Sequence, residues 1–349
     1  MAQPTITRAV EAVASGRDLS ADDAAEVLAV IMAGGASEVE IAAFLVALRT
    51  KGETVDELVG LARTMRALAT RVDSGRDDVV DTAGTGGGRP TFNVSTTAAL
   101  IAAGAGCAVA KHGNRSATSL SGSADLVEAL GARIDLGPHA VAACIREAGF
   151  GFMFAPAHHQ ATRFVVPVRK ELGVRTIFNF LGPLTNPAGA TRQLIGVSDP
   201  AYVETVAGAL AHLGVARALV VSSQDGLDEM STAGPTQVVE VAAAADGGAP
   251  GFERYRLDAS EMGLAPARLE DLAGGTPAEN ADTTRRILAG EPGPRRDLAV
   301  LNAGGAIYVS GRVETLEAGV RAAEAAVDDG SAAVALDRFV ACTRGLAAA

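Results

Sequence analysis

Four stretches of the 349-residue chain gather residue types suited to phosphate, carboxylate and metal chemistry. The first runs Asp81-Thr-Ala-Gly84-Thr-Gly86-Gly87-Gly88-Arg89-Pro90-Thr91-Phe92-Asn93-Val94-Ser95-Thr96. Glycines packed this closely between a strand and a helix let backbone N–H groups converge on an anion, and a helix opening near Ser95 adds the positive end of its dipole. It is not a dinucleotide fingerprint, because Arg89 stands where a third glycine belongs, and it is not a P-loop, because no Gly-Lys-Ser/Thr closes it. The second stretch, Lys111-His112-Gly113-Asn114-Arg115-Ser116-Ala117-Thr118-Ser119 followed by Gly122-Ser123-Ala-Asp125, offers cations, an amide and hydroxyls of the kind a sugar phosphate needs. The third links Arg163, Arg169 and Arg175 to the rigid turns Gly182-Pro183 and Asn186-Pro187, so that a planar guanidinium can be held still against a carboxylate. The fourth is Gln224-Asp225-Gly226-Leu227-Asp228-Glu229, whose adjacent carboxylates suit a hard divalent cation such as Mg²⁺, shared with substrate phosphates. Taken alone, each also reads as an ordinary turn, a helix cap at Ser123 or a surface ion pair of Arg169. Three of the four fall at predicted strand ends, where open α/β sheets place their ligands.

The elements that position these loops follow from periodicity and capping. Ser20, Ser37 and Thr54 each precede an amphipathic run with an acidic residue three positions on, which predicts three helices in a compact unit over residues 1–72. From residue 73 to 349 short apolar runs alternate with helical ones: DDVVDTA, STTAALIAAG, CAVA, SADLVEAL, FGFMFA, then QLIGVS and ALVVSS around AYVETVAGALAHL. This alternation predicts βαβ units and a mostly parallel central sheet flanked by helices. FERYRLDA fits an antiparallel strand near the sheet edge, and helices close the fold from Thr276 onward. Fold class is thus α/β, with a small N-terminal helical domain before a large sheet domain.

Composition narrows the function. Thirty Lys and Arg against 41 Asp and Glu give a formal charge of −11, which disfavours nucleic-acid and acidic-membrane partners and leaves phosphate recognition to local groups. No apolar run reaches the roughly 18 residues of a membrane helix, and the first residues lack the plan of a signal peptide, so a cytoplasmic protein is expected. Cys107, Cys144 and Cys342 sit far apart in apolar stretches and read as buried thiols. The neighbours His158 and His159 do not share one side of a helix or strand, which argues against zinc.

Together the glycine loop running into FNVST, KHGNRS with SGSAD, PVRKELGVRTIFNFLGPLTNP, and DGLDE before STAGPT closely resemble the anthranilate phosphoribosyltransferases of tryptophan biosynthesis, in order from about Ala9 to near the C-terminus. The resemblance implies a nucleoside phosphorylase/phosphoribosyltransferase-like fold, with a segment near 170–190 returning to the helical domain and dimerisation through that domain. It implies transfer of the phosphoribosyl group of 5-phosphoribosyl-1-pyrophosphate (PRPP) to anthranilate with Mg²⁺. By that likeness Gly84, Gly87, Gly88, Thr91, Asn93, Val94, Ser95, Thr96, Lys111, Asn114, Arg115, Ser116, Ser119 and Ser123 would bind PRPP. Gly84, Asn114, Arg169, His112 and Pro183 would border anthranilate, and Ser95, Asp228 and Glu229 would serve the metal. No residue is assigned as general base, because an aromatic amine is already unprotonated at neutral pH and alignment of the two substrates carries the rate. The chain departs from the family pattern at Gly88-Arg89-Pro90, which is one residue shorter than usual and lacks the loop's Asp. Altered Mg²⁺ dependence or weaker phosphate binding is expected there, partly offset by Arg89. A pyrimidine-nucleoside phosphorylase-like enzyme and a non-catalytic nucleic-acid-binding paralogue share the architecture and stand as alternatives.

Overall fold

The computed structural model describes residues 3–116, 119–244 and 247–346, so Ala117 and Thr118 of the second stretch lie outside the described residues. The N-terminal unit holds four helices, one more than capping predicts: α1 (Pro4–Ala14), α2 (Ala21–Met32), α3 (Glu38–Lys51) and α4 (Val55–Leu68). The additional α1 is capped by a glutamine, Gln3, whose side chain accepts from the amides of Thr5 and Ile6. Ser20 accepts from the Asp23 amide, and Ser37/Glu40 and Thr54/Glu57 form full capping boxes, each satisfying otherwise free first-turn amides. Buried Glu57 also accepts from the Leu19 amide at 3.0 Å and from Lys51 at 3.0 Å, which ties α4 to the α1–α2 turn and to α3.

The rest alternates as expected: β1 (Val80–Asp81), α5 (Val94–Gly104), β2 (Val109–Gly113), α6 (Ser123–Ala129), α7 (Pro138–Ala148), β3 (Phe150–Phe154), α8 (Ala155–His158), α9 (Val166–Leu172), α10 (Phe178–Leu184), β4 (Arg192–Gly196), α11 (Val203–His212) and β5 (Arg217–Ser223). There follow β6 (Thr236–Ala242), β7 (Gly251–Leu257), α12 (Pro277–Leu288), α13 (Pro294–Ser310), α14 (Leu316–Asp328) and α15 (Ser331–Leu346). The sheet runs in the order β3-β2-β1-β4-β5-β6-β7, with β1 to β5 parallel and β6 and β7 antiparallel. The FERYRLDA segment is therefore the antiparallel edge strand β7, its exposed Glu253, Arg254 and Arg256 marking an open edge. Strand β6 is an addition to the sequence reading, which assigned no element to TQVVEVA.

Two cores share the sheet. Along β5, Leu219 and Val221 join the core under α5, α13 and α14, while Ala218 and Val220 on the opposite face join α2 to α4 and α11. Burial on both faces is why this strand reads as an uninterrupted apolar run. The segment 165–184, carrying α9 and α10, contributes Val165, Val168, Ile177, Leu181 and Leu184 to the helical core. Arg66 of α4 stitches the units together, donating to the carbonyls of Leu184 at 2.7 Å and Leu213 at 3.1 Å. Cys107 and Cys144 are buried, but Cys342 on the outer side of α15 is partly exposed, a departure from the expectation of three buried thiols.

Candidate active site

Strand β1 sits mid-sheet, and the chain leaves it toward β2 on one side and β4 on the other, so the crevice beyond its C-terminal end is the topological switch point of the sheet. All four chemistry-bearing stretches reach this end. The β1 strand has only two residues because the chain turns at Thr82 into the glycine loop. Thr85 pins that loop to β4 by donating its amide to the Gly196 carbonyl at 2.8 Å and accepting from the Ser198 amide at 3.2 Å. The Arg89 amide fastens the far end to the Gly226 carbonyl of the acidic loop at 3.0 Å. Between these anchors Gly86 and Gly87 adopt φ of +67° and +82°, and a Cβ on Gly88 would lie 2.4 Å from Asp228 Oδ1. Only glycine fits there without displacing the carboxylate.

The loop already holds an anion. The amides of Gly86 and Gly88 donate to the Asp228 carboxylate, and the Arg175 charge adds to their pull, yet burial leaves Asp228 above its ordinary carboxylate range. Glu229 is raised well above its own, first by burial and then by the Asp228 charge, against the pull of Lys111 and the Ser95 amide. Both residues keep some solvent exposure at the cleft floor. Lys111, midway along β2, is 1% exposed and donates to Thr82 Oγ1 at 3.1 Å and to Ser95 Oγ at 3.3 Å. Burial lowers its pKa, and the charges of Asp81 and Glu229 oppose that fall. Asp81, with 0% exposure, is its buried counterion and accepts from the Thr82 amide (2.8 Å), the His112 amide (3.2 Å) and Asn186 Nδ2 (2.7 Å). Asn186 also donates to the Ala110 carbonyl at 2.8 Å, so the LTNP turn is bolted to β1 and β2 together.

Facing this floor stands the α9–α10 segment. Arg169 on α9 lies 5.3 Å from the Phe178 ring centroid and donates to Asn179 Oδ1 at 3.4 Å. It has no carboxylate partner among the described residues, and burial lowers its pKa. His112 Nδ1 meets the Gly182 carbonyl at 3.0 Å, and its ring lies 5.1 Å from that of His159. Burial holds His112 down to about 4 and His159 to about 3, so both are neutral at physiological pH. Neither Nε2 has a hydrogen-bond partner among the described residues, and with His112 Nδ1 donating to Gly182 its Nε2 is a bare acceptor. Pro183 lies buried one residue on, its carbonyl accepting from Gln193 Nε2 at 2.8 Å.

Two family models match the chain: the helical bundle domain of a glycosyl transferase family over residues 7–69, and the α/β domain of that family over residues 76–333. Anthranilate phosphoribosyltransferase of Rubrobacter xylanophilus is 52% identical over 344 residues, covering 98% of each chain. That of Symbiobacterium thermophilum is 51% identical, covering 96% of this chain and 97% of its own. The chain belongs to the anthranilate phosphoribosyltransferase family. Among solved members, the Thermus thermophilus enzyme superposes with a TM-score of 0.89 at 46% identity over 96% of this chain and 99% of its own. The Saccharomyces cerevisiae enzyme, solved with PRPP and Mg, gives 0.88 at 27% identity over 99% of each.

Against the family expectation, the structure gathers Gly84, Gly87, Gly88, Ser95, Lys111, Asp228 and Glu229 around the loop, while other expected side chains are engaged within the protein. Asn93, with φ of +28°, gives its side-chain amide to the Ser121 carbonyl at 3.0 Å and accepts from Ser121 Oγ at 2.9 Å and Asn280 Nδ2 at 2.8 Å, joining two loops and α12. Arg115 pairs with Asp125 at 2.7 Å and Glu128 at 2.6 Å on α6. Ser116 Oγ and Ser119 Oγ meet at 2.6 Å, and Ser123 Oγ accepts from the Asn114 amide at 3.1 Å. Ser123 is thus not the cap of α6: Gly122 occupies that position, and Asp125 accepts from its amide at 2.9 Å. Thr91 is partly exposed, and Val94 and Thr96 are buried in the first turn of α5. Sequence reading assigned no role to Asp81 or His159, and gave Arg175 and Asn186 only a general part in the third stretch. A carboxylate closing an inner apolar strand was the available signal for Asp81; the others gain meaning only through contacts far along the chain.

Proposed function

We propose that this cleft transfers the phosphoribosyl group of PRPP to the amine of anthranilate, giving N-(5-phosphoribosyl)anthranilate and pyrophosphate in tryptophan biosynthesis. One juxtaposition carries the reading. A loop whose amides already close on a carboxylate is linked, through Arg175, Thr176 and Asn179, to a half-buried arginine that has no acid partner among the described residues. The first suits the pyrophosphate of PRPP, the second the carboxylate of anthranilate.

In this reading Gly84, Gly87, Gly88, Thr91 and the Asn93–Thr96 turn cradle the pyrophosphate through backbone amides and the N-terminus of α5. Lys111, Asn114, Arg115, Ser116, Ser119 and Ser123 border the ribose phosphate. Arg169 pairs with the anthranilate carboxylate, and Asn114, Gly84, Pro183 and His112 surround the ring. Asn114, exposed at the end of β2, orients the amine so that its lone pair faces C1′. The C1′–O bond to pyrophosphate breaks as the amine arrives, and the chain's amides and Lys111 stabilise the charge that grows on the leaving group. Positioning of the two substrates supplies most of the acceleration.

The donor set fits Mg²⁺. Asp228, Glu229 and the Ser95 hydroxyl are hard oxygen donors; burial raises the pKa of both carboxylates, and at Glu229 the Asp228 charge adds to the rise, a repulsion that a cation would relieve. Two carboxylates leave room for substrate phosphates and water around the ion, and bound Mg²⁺ would neutralise charge on the departing pyrophosphate. For assembly, Val39 and Val46 of α3 are 79% and 42% exposed, apolar surface that supports dimerisation through the helical unit. The anthranilate fluorescence of a mixture with purified protein, PRPP and Mg²⁺ tests the function, against a low background because the chain has no Trp. Loss of signal only when all components are present is expected. An unchanged signal over a wide Mg²⁺ range would overturn the reading and favour the phosphorylase-like alternative, checked by uridine cleavage.

A further inference from the structure

Arg175 lies in the loop between α9 and α10 and belongs to neither group of residues expected to touch substrate. Its guanidinium reaches across the cleft and donates from Nη2 to the Gly86 carbonyl at 2.7 Å. It lies under Gly87 so closely that a Cβ there would come within 2.8 Å of Arg175 Cζ. Its charge also acts on Asp228, the carboxylate held by the Gly86 and Gly88 amides. Its own backbone is fixed from the helical unit, where Arg49 Nη1 of α3 donates to the Arg175 carbonyl at 2.6 Å. The next residue continues the chain of contacts: the Thr176 amide donates to Asn179 Oδ1 at 3.1 Å, and Asn179 receives Arg169 at 3.4 Å. One short segment thus grips the glycine loop with a side chain and the Arg169 guanidinium through Asn179.

We propose that Arg175 is a positioning residue that fixes the glycine loop relative to the Arg169 segment, so that the pyrophosphate cradle and the anthranilate site hold one mutual geometry. The proposal rests on the transferase reading for its ligands, but its mechanical content stands on the contacts alone. A carbonyl fastened by a guanidinium leaves the Gly86–Gly88 peptides oriented with their amides toward the cradle. The shortened loop sharpens this dependence: Arg89 makes no side-chain hydrogen bond or ion pair among the described residues, and the loop's other ties are the Gly86 and Gly88 amides on Asp228 and the anchors at Thr85 and Arg89.

The test compares wild type with Arg175→Met, which keeps a stem under Gly87 but donates nothing, and with Arg175→Ala and Arg175→Lys. Calorimetric titration with magnesium pyrophosphate, without anthranilate, reads the cradle directly. Arg175→Met and Arg175→Ala should bind about tenfold more weakly, the weight of one charge-assisted hydrogen bond, with Arg175→Lys in between. In turnover the Met variant should raise the KM for both PRPP and anthranilate, whereas Arg169→Ala should leave magnesium pyrophosphate affinity within twofold of wild type. Folding is checked by melting curves; if the Ala variant does not fold, the Met and Lys variants decide. Pyrophosphate affinity within twofold of wild type in a folded Met variant would overturn the proposal. Arg175-dependent pyrophosphate binding by a wild type that does not consume anthranilate would sink the transferase reading and leave the positioning role intact.

Discussion

Replacing Arg169 with alanine separates the two halves of the cleft. The size of the effect follows from the surroundings of the guanidinium. A solvent-exposed ion pair is worth about 0–1 kcal/mol, which would change affinity less than about sixfold. Arg169 is half-buried, its pKa is lowered by burial, and no protein carboxylate competes for it among the described residues. The value for a charge-assisted bond removed from bulk water, about 1.5–3 kcal/mol, therefore applies, and the midpoint corresponds to about 40-fold. That loss belongs in kcat/KM for anthranilate, followed as the decay of its fluorescence at saturating PRPP. The KM for PRPP should stay within about twofold, because Arg169 touches the cradle only through Asn179 and Asn179 Oδ1 keeps the Thr176 amide. The fold loses one 3.4 Å hydrogen bond and the contact with the Phe178 ring, and stability should fall by about 1–2 kcal/mol. Equal losses for both substrates, or turnover within about threefold of wild type, would refute the assignment of Arg169 to the aromatic acid.

Glu229 illustrates a site that destabilises its own fold. Its raised pKa means the folded chain holds a proton that the unfolded chain has released, so stability falls as pH rises through the folded value. Glu229→Gln should therefore unfold in denaturant at higher concentration than wild type at pH 8, a difference that closes toward pH 4.5, while kcat/KM falls about 100-fold or more. An advantage that persists unchanged at low pH would count against burial of the charge as its source. His112 acts in the opposite direction: held down to about 4 from 6.5, it stays neutral where the unfolded chain takes up a proton, so its contribution is present above pH 6.5 and lost as pH falls toward 4. Stability of wild type relative to His112→Gln should drop by about 3 kcal/mol across that window in denaturant titrations, and parallel pH curves would disprove it. Rebuilding Gly88-Arg89-Pro90 as a Gly-Asp-Gly loop of the family length should shift the Mg²⁺ titration of turnover to lower concentration, whereas an unchanged titration removes any metal role for the missing carboxylate.

What was legible in the sequence is what acts locally. Ser37 with Glu40 and Thr54 with Glu57 declare their helices because a capping box is complete within four residues. The glycine loop, the Asp228-Glu229 pair and the Arg169 segment declare chemistry because the residue types suffice to suggest it. Strand β6 escaped because Gln237 and Glu240 interrupt its apolar run, α1 because a glutamine caps it, and the ties of the Asn93 side chain to Ser121 and Asn280 have no local signal. Asp81 meets Asn186 across 105 positions, and Arg175 meets Gly86 across 89, so no spacing rule signals either pair. Their effects are nonetheless as chemical as those of the recognised motifs. The Asp81 charge opposes the fall that burial imposes on the Lys111 pKa, and Arg175 aims amides that glycine alone leaves free to turn. A motif names the groups that can touch a ligand. Whether they converge on it is set by buried partners that only the folded chain brings within reach.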